Sequence, residues 1–373
     1  MSAIFPPAVP RTNAATTPNA AQEPPKQMFR NSTAGPLLLR RAQEVGTLIR
    51  VGRDTYIEPH DAELPQWDRV RAEVLARCAT LQRRSGDSFV VSHMTAALIH
   101  GLWVPTSTTV HVTQPHSRTS TPWSFDPVVR HRRELRPEEV TMVGGIRVTS
   151  LARTVIDCIT ALPPVWGLAV ADSALRAIVR PERSKPEEAL ERAAPILKEW
   201  RALLEARGPK RGLIRARAIL DAASPLPESP GESRSRAVLL APGLPMPLLQ
   251  IPVKLGDTTA WCDFGWLIAP GRYLLGEFDG AVKYRLDGLT GIALSNKLSE
   301  EKQREDGLRR LRHRIERVVN ADLSTADRRA QMVDRMVAKL PAQLLVNCVP
   351  RPGFAIAPDP LPPGRKLVRR RRR

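Results

Sequence analysis

The chain has 373 residues, of which 42% are hydrophobic, and a formal net charge of +19. A chain of this length exceeds one ordinary core and predicts two or three domains. No apolar run approaches the roughly 18 residues of a membrane-spanning helix, and no secretory signal is evident in MSAIFPPAVPRTNAATTPNAAQEPP. The sequence pattern therefore excludes a membrane protein, and we expect a cytoplasmic location.

The charge indicates the class of partner. Seven positive charges lie in the tail, at Arg365, Lys366 and Arg369 to Arg373, and +12 remains on the rest of the chain. A surface this basic concentrates polyanions, so DNA is the expected partner. The alternative is a soluble protein from an organism whose proteins are rich in arginine. No Gly-rich phosphate loop, nucleophile elbow or HExxH motif occurs, so no small-molecule cofactor is expected.

Both ends of the chain have the composition of disordered segments. Residues 1–29 are rich in Pro, Ala, Thr and Asn, and residues 346–373 are Pro-rich and end in the arginine run. That tail either binds phosphates without sequence preference or serves only solubility. Residues 30–60 contain a short helix followed by an Arg-bearing hairpin, which predicts a winged-helix-like unit or a plain structural cap.

Three further units are predicted. In residues 61–161, helices and several short strands alternate, which predicts a compact α+β unit. Residues 162–223 have helical periodicity throughout, and the Pro and Ser residues at 224–230 mark the boundary that follows. Residues 229–345 contain a helix, three strands, a long helix, a strand and a closing helix. This order is typical of an α/β fold with a mixed sheet flanked by helices.

Three acidic residues are expected on one face of two adjacent strands. Asp263 lies in the second of the three strands, and Glu277 and Asp279 lie in the third. A hairpin that is symmetrical about residue 270 places Asp263 opposite Glu277, with Cβ atoms about 5 Å apart. Carboxylates this close need a cation or a raised pKa, and Mg²⁺ suits such oxygen ligands. The alternative is an exposed strand edge, or a register that separates the acids.

A fourth acid, Glu232, precedes these strands and has two interpretations. Ser229, Pro230 and Glu232 fit a capping box with serine at the N-cap and glutamate at N3. A glutamate in a first helical turn can also point at a neighbouring sheet, so a role as a metal ligand stays open.

Two family resemblances follow from short segments and their order. The run SPGESRSR, LQIPV, WCDFGW, GEFDGAVKY and EEKQREDGLRRL resembles the PD-(D/E)xK superfamily, in particular the bacterial domains related to very-short-patch repair endonucleases. The segments SHMTAALIHGL, VHVTQP and GIRVTSLARTVIDC resemble AbiEi-like antitoxins, seen mostly in actinobacteria. Together the resemblances cover most of the chain and imply a restriction-endonuclease-like C-terminal fold, DNA as a partner and a toxin protein as a second one.

The endonuclease resemblance implies roles for individual residues. Asp263 and Glu277 match the acids of the two core strands, and Glu232 matches the glutamate of the first helix. The family's lysine would stand two residues after the second acid, but Asp279 occupies that position. Lys283 is the substitute expected to orient water, and it requires a bulge at Gly280. This departure bears on catalysis more than on metal or DNA binding.

Basic residues follow the acidic strands on a predicted helix, where they are expected to hold DNA phosphates beside the metal. They are Lys302, Arg304, Arg309, Arg310 and Arg312. The alternative is a solvated helix with Glu–Arg pairing.

The histidines show no metal-binding pattern. His93 and His100 share one helix face without a third ligand and are interpreted as structural, and His111 and His116 near a strand end show no partner. Arg153 and Asp157, spaced i and i+4, are interpreted as a structural pair, and the AbiEi resemblance leaves a partner-binding role open.

The sequence thus predicts a DNA-binding protein with a nuclease-like domain that performs Mg²⁺-dependent phosphodiester hydrolysis in an antitoxin-like or defence context. The alternative is a catalytically inactive transcriptional regulator of the antitoxin type.

Overall fold

The computed structural model describes residues 28–30, 34–60, 64–115, 128–207, 211–280 and 291–355. This part of the chain is a mixed α/β structure in which helices pack on three separate sheets. The arginine run of the tail and Lys283 lie outside the described residues.

The first unit is a small antiparallel sheet with one helix. It comprises β1 (Met28–Arg30), α1 (Pro36–Glu44), β2 (Ile49–Arg50) and β3 (Thr55–Ile57), and the strand order is β1-β3-β2. Met28 and Phe29 were expected in a disordered segment, which is wrong because they pair with Ile57 and Tyr56 of β3. The backbone hydrogen bonds of β3 and the apolar cluster beneath it hold this strand in place.

The central unit is a five-stranded sheet. It consists of α2 (Gln66–Ser85), β4 (Val90–Val91), α3 (His93–Ile99), β5 (Val110–Gln114), β6 (Val128–Arg132), β7 (Val140–Val143), β8 (Ile146–Thr149) and α4 (Leu151–Ala161). The strand order is β6-β5-β4-β8-β7, so β6 is an edge strand. The pairs β4–β8 and β5–β6 are parallel and the others are antiparallel.

A helical layer follows this sheet. It is formed by α5 (Pro164–Val179), α6 (Pro186–Ala206), α7 (Leu213–Ala222) and α8 (Pro230–Leu240). Their apolar faces share one core with the central sheet, and that core includes Leu226 and Leu240. The Pro and Ser residues at 224–230 are predicted to separate two domains, but one continuous apolar core contains residues from both sides of this segment. Phe354 was expected in the disordered tail, which is wrong because its ring is buried in the same core.

The C-terminal sheet has four strands in the order β12-β11-β10-β9. They are β9 (Leu248–Leu255), β10 (Thr258–Ala269), β11 (Arg272–Asp279) and β12 (Arg314–Val319), joined or followed by α9 (Gly291–Arg310), α10 (Ala326–Val337) and α11 (Ala342–Leu345). The β11–β12 pair is parallel and the other pairs are antiparallel. The predicted sequence of a helix, three strands, a long helix, a strand and a closing helix is present.

One glycine brings the first turn of α8 onto this sheet. A Cβ at Gly231 would collide with the ring of Phe278 in β11. Because only glycine permits this approach, Glu232 at the next position lies close to the carboxylates of β10 and β11.

Candidate carboxylate site

The hairpin of β10 and β11 has the register that places Asp263 beside Glu277. Phe264 pairs with Gly276, and one step further along the ladder Asp263 lies opposite Glu277. A β-bulge between Leu267 and Ala269 accommodates the turn. The backbone N–H of Phe278 donates a hydrogen bond of 2.7 Å to Asp263 Oδ2. The two acids are therefore neighbours across the strand pair.

Asp263 is surrounded by other acids. Burial raises its pKa well above the ordinary value, and repulsion from Glu232, Glu277 and Glu228 acts in the same direction. The hydrogen bond from the Phe278 N–H opposes this shift only in part. An aspartate in this environment favours the protonated form or a cation nearby.

Ser229 caps α8 as the sequence predicts, but Glu232 does not close a full capping box, because its carboxylate binds the Ser229 hydroxyl and the Glu228 N–H instead of the Ser229 backbone N–H. The Glu232 backbone N–H donates to Ser229 Oγ over 3.2 Å, and the Ser229 hydroxyl donates to Glu232 Oε1 over 2.8 Å. Glu232 Oε2 accepts hydrogen bonds from the Glu228 N–H (2.9 Å) and Gln250 Nε2 (3.2 Å). Burial raises the pKa of this carboxyl despite these donors.

Glu277 and Asp279 are paired with arginines. Arg304 Nη2 donates to Glu277 Oε2 over 2.8 Å, and Arg317 Nη1 lies 3.7 Å from Asp279 Oδ2. Arg304 therefore contacts Glu277, and its predicted contact with DNA phosphates stays a prediction. The other oxygen of Glu277, Oε1, is buried and has no hydrogen-bond partner among the described residues.

The other basic residues predicted on this helix remain at the surface. Lys302, Arg309 and Arg310 are exposed on α9, and Arg312 is exposed beyond its end. Arg309 pairs with Glu305 over 2.5 Å, which is the Glu–Arg pairing of the alternative interpretation. Within the described residues, no group of three or more His, Cys, Asp or Glu side chains is arranged to hold a metal ion.

Two arginines that the sequence did not suggest also reach this region. Arg183, between α5 and α6, forms a bidentate ion pair with Glu228, and Arg176 Nη2 lies 3.6 Å from Glu228 Oε1. They line a cleft together with Leu226 and Gln250. Arg183 also interacts electrostatically with Glu232 and Asp263. No local pattern could indicate this contact, because the arginines and the acids come from separate parts of the chain.

Gln250 has a backbone conformation that marks the site. It lies in β9 opposite Asp263, between the pairs Ile251–Cys262 and Leu249–Phe264, with φ at 49°. A positive φ is unfavourable for glutamine, and such strain persists only where the surroundings impose it.

A second polar cluster lies in the central unit. We name it the histidine cluster: His93, His111 and His131 with Asp157, Arg153 and Arg207. His93 and His131 stack with ring centroids 3.4 Å apart, and His111 Nδ1 lies 3.1 Å from His131 Nε2. No partner for His111 was evident in the sequence, because His131 comes from a different strand. The structure brings these residues together.

Comparison with known proteins identifies a family for the part of the chain that contains the histidine cluster. Residues 90–206 match the model of the AbiEi antitoxin C-terminal domain, which confirms the AbiEi-like resemblance for that range. Two proteins of Mycobacterium tuberculosis, the uncharacterized proteins Rv2248 and MT2308 from strains H37Rv and CDC 1551, are each 30% identical over 208 residues. The match covers 56% of this chain and 68% of each relative. The chain belongs to the family of these two mycobacterial proteins.

A solved structure gives a weaker likeness. The crystal structure of the Rv2827c protein from Mycobacterium tuberculosis is 13% identical, covers 56% of this chain and 75% of its own, and superposes with a TM-score of 0.30. That value is too low to constrain the fold. Among the described residues, no helix combines the length and apolarity needed to cross a bilayer.

The two polar clusters differ in their relation to the AbiEi-type domain. Apart from Arg207, which directly follows the matched range, the histidine cluster lies inside residues 90–206. Arg176 and Arg183 belong to the same domain, whereas the acids that they approach lie beyond it. The AbiEi-type domain therefore supplies cations to the carboxylate site of the C-terminal sheet.

Proposed function

We propose that the chain is a DNA-binding regulator of the antitoxin type, acts in the cytoplasm and has a toxin protein as its partner. The match of residues 90–206 to the AbiEi antitoxin C-terminal domain carries this proposal. The net charge of +19 supports DNA as the second partner. The pairing of Glu277 and Asp279 with arginines supports a regulator that needs no metal.

The N-terminal unit offers a surface for DNA. Helix α1 exposes Arg40 and Arg41, and Arg53 is exposed at the tip of the β2–β3 hairpin. Arg40 already pairs with Glu44 over 3.2 Å, so Arg41 and Arg53 are the better candidates for phosphate contacts. A helix and an adjacent hairpin that both carry basic residues suit a duplex, with the helix in the major groove.

Fluorescence anisotropy with the DNA upstream of the chain's own gene tests this proposal. The double variant Arg41→Ala, Arg53→Ala should weaken binding, and the slope of log K against log salt should fall by about 1 for each phosphate that the variant no longer neutralises. The matched control is Arg192→Ala plus Arg201→Ala on α6, which removes the same charge. If both double variants weaken DNA binding equally, the loss depends only on net charge, and the assignment of this surface is contradicted.

Copurification tests the toxin partner. The proteins encoded next to this gene are expressed with the full chain, and one of them should copurify as a stable complex and lose its growth inhibition when the chain is present. If none of the neighbouring proteins binds, the antitoxin part of the proposal fails while the DNA-binding part stands.

The second candidate function is Mg²⁺-dependent hydrolysis of DNA. Two observations favour it: among the described residues, Glu277 Oε1 is buried without a hydrogen-bond partner, and the pKa of the neighbouring Asp263 is raised. A hard cation between the two carboxylates would satisfy both. Asp263 and Glu277 would hold the ion, with Glu232 nearby, and the ion would polarise the phosphodiester. Arg304 would have to share Glu277 with it.

A nicking assay on supercoiled plasmid tests this second candidate. The assay contains Mg²⁺ at a concentration on the order of 10 mM, which is meant to saturate a site of this kind. The Asp263→Ala variant should lose all nicking and retain its DNA affinity. Nicking that persists undiminished in this variant would remove the site from consideration.

A further inference from the structure

The segments that carry the AbiEi resemblance converge on the histidine cluster. His93 comes from SHMTAALIHGL, His111 from VHVTQP, and Arg153 and Asp157 from GIRVTSLARTVIDC. These segments form α3, β5 and α4, which are separate elements of the central unit. Their polar side chains meet below the edge strand β6, which contributes His131.

Asp157 organises the arginines of this cluster. Its Oδ2 accepts from Arg153 Nε over 3.0 Å, and its Oδ1 accepts from Arg207 Nη2 over 2.8 Å. Arg153 Nη1 donates to Glu139 Oε1 over 2.8 Å. The Arg153 side chain is 6% exposed and that of Asp157 is 1% exposed. Two guanidinium groups are thus fixed side by side around one buried carboxylate.

Each of these arginines keeps a buried nitrogen without an acceptor. Arg153 Nη2 and Arg207 Nη1 are buried and have no hydrogen-bond partner among the described residues. A buried charged donor that lacks an acceptor is costly, because it has lost water and gained nothing in return. An acceptor that belongs to a ligand would remove this cost.

The local charge selects an anion as that ligand. Arg153, Arg207 and Arg133 bring three positive charges, and Asp157 and Glu139 bring two negative ones. The imidazoles are neutral at neutral pH, because burial lowers the pKa of His93 to about 3 and that of His111 to about 4. They therefore present neutral N–H groups and leave an excess of positive charge.

His93 supports a functional interpretation of the cluster. It begins α3 with φ at 52°, an unfavourable backbone conformation for histidine. Its Nδ1 lies 2.9 Å from Ser92 Oγ and 4.0 Å from Asp157 Oδ2. Strain of this kind concentrates at ligand sites, where the surroundings hold a side chain in place.

We propose that the histidine cluster binds a phosphate group, held by Arg153 Nη2 and Arg207 Nη1 and lined by His131. Guanidinium groups in fixed orientation match the oxygens of a phosphate. The phosphate belongs either to a small molecule, such as free phosphate or a nucleotide, or to a DNA backbone that passes the edge strand β6. The site does not depend on DNA binding by the N-terminal unit.

Calorimetry on the full chain with inorganic phosphate tests the site. Arg207→Gln should weaken phosphate binding by about tenfold or more, the loss expected for one charged hydrogen bond. The matched control is Arg201→Gln, on the helix that Arg207 directly follows and paired with Asp221, and it should bind as the unchanged chain does. Equal affinity in Arg207→Gln and the unchanged chain, or no phosphate binding by either, overturns the proposal and leaves bound water as the acceptor.

A measurement on the unchanged chain covers the case in which Arg207→Gln does not fold. Phosphate added to the full chain should shift the imidazole ¹⁵N resonances of His111 and His131 in a saturable way. His313, in the C-terminal unit, serves as the internal control and should not shift. Unchanged resonances for the cluster at saturating phosphate contradict the site.

DNA-binding assays identify the source of the phosphate. If Arg207→Gln also weakens DNA binding by about tenfold, while Arg201→Gln does not, the phosphate is that of the DNA backbone. If DNA binding is unchanged and only free phosphate or nucleotide binding is lost, the ligand is a small molecule. Both outcomes keep the site, and failure of the N-terminal DNA surface would leave it intact.

Discussion

The carboxylate site and the histidine cluster each contain a buried aspartate, and the two aspartates shift in opposite directions. Burial pushes the pKa of Asp157 upward, but the positive charges of Arg153 and Arg207 outweigh it and the pKa is lowered. For Asp263, burial and repulsion from Glu232 act together and the pKa is raised. Burial alone therefore does not decide the charge of a buried acid; the charges brought by neighbouring elements do.

The same difference separates what the two regions can bind. The carboxylate site has acids in excess and attracts cations, of which Arg183 and Arg304 are two that the chain itself supplies. The histidine cluster has guanidinium groups in excess and attracts anions. Each region also holds a residue with a positive φ, Gln250 in one and His93 in the other. Both regions thus store local strain, but their electrostatic requirements are opposite.

The largest effect is expected for Asp157→Asn. This change leaves the positive charges of Arg153 and Arg207 buried without their carboxylate, a loss that costs about 3–5 kcal/mol of unfolding free energy. Because the pKa of Asp157 is lowered on folding, its contribution is present above the unfolded-state pKa and is lost as the pH falls through the folded-state pKa. Urea unfolding at pH 7 and in a series that extends well below pH 4 measures both statements, because the folded-state pKa lies below the ordinary value of 3.8. Stability equal to that of the unchanged chain at pH 7 would show that the ion pairs contribute nothing.

The next largest effect is expected from the histidines, which should lower the free energy of unfolding at acidic pH. The pKa of His111 is lowered by burial to about 4, so its contribution is present above the unfolded-state pKa and is lost as the pH falls towards 4. Protonation would also place two charges at nitrogens 3.1 Å apart in the pair with His131. We expect the chain to lose about 1–3 kcal/mol between pH 6.5 and pH 4 from this group, and His111→Gln to lose less. An identical acid dependence for the variant would exclude this source.

A smaller effect of opposite sign is expected for Asp263→Asn. The raised pKa means that the contribution of Asp263 is present below the unfolded-state pKa and is lost as the pH rises through the folded-state pKa. Asparagine keeps the acceptor for the Phe278 N–H and removes the charge, so the variant should be more stable at pH 8 by about 1 kcal/mol, a typical size for single substitutions. Thermal unfolding at pH 8 and pH 4 measures the difference, which should vanish at the acid end. Destabilisation at pH 8 would mean that the carboxylate is needed in its charged form.

The smallest effect concerns the contact between the two regions. Arg183 is half exposed, so its pair with Glu228 is screened by solvent and contributes about 0–1 kcal/mol. A double-mutant cycle with Arg183→Ala and Glu228→Gln at low and high salt measures it, and the coupling should disappear at high salt. A coupling that survives 1 M-scale salt, at which the Debye length is about 3 Å, would point to a contact less accessible to water than the structure shows.

The sequence could predict what depends on neighbouring residues. The alternation of side chains along the two strands and a hairpin symmetrical about residue 270 are enough to place Asp263 opposite Glu277, because a hairpin's register follows from its turn. The cap at Ser229 and Glu232 was readable for the same reason. These features involve residues that are close along the chain.

The sequence could not predict contacts that depend on packing between distant elements. His131 meets His111 only because β6 lies parallel to β5, and that pairing leaves no local pattern. Arg183 reaches Glu228 through the packing of α5 and α6 beside α8. The contact of Arg304 with Glu277 is a further example, because the basic residues of α9 do not indicate which face of the helix contacts the sheet.

DNA binding with and without metal tests the central claim most directly. The full chain is titrated onto the DNA upstream of its gene, once in Mg²⁺ on the order of 5 mM, which is meant to saturate an ordinary Mg²⁺ site, and once in excess EDTA. A regulator of the antitoxin type predicts the same Kd in both conditions, after correction for ionic strength, and intact DNA. A Kd about tenfold weaker in EDTA, or DNA cut by the unchanged chain and left intact by Asp263→Asn, would contradict it.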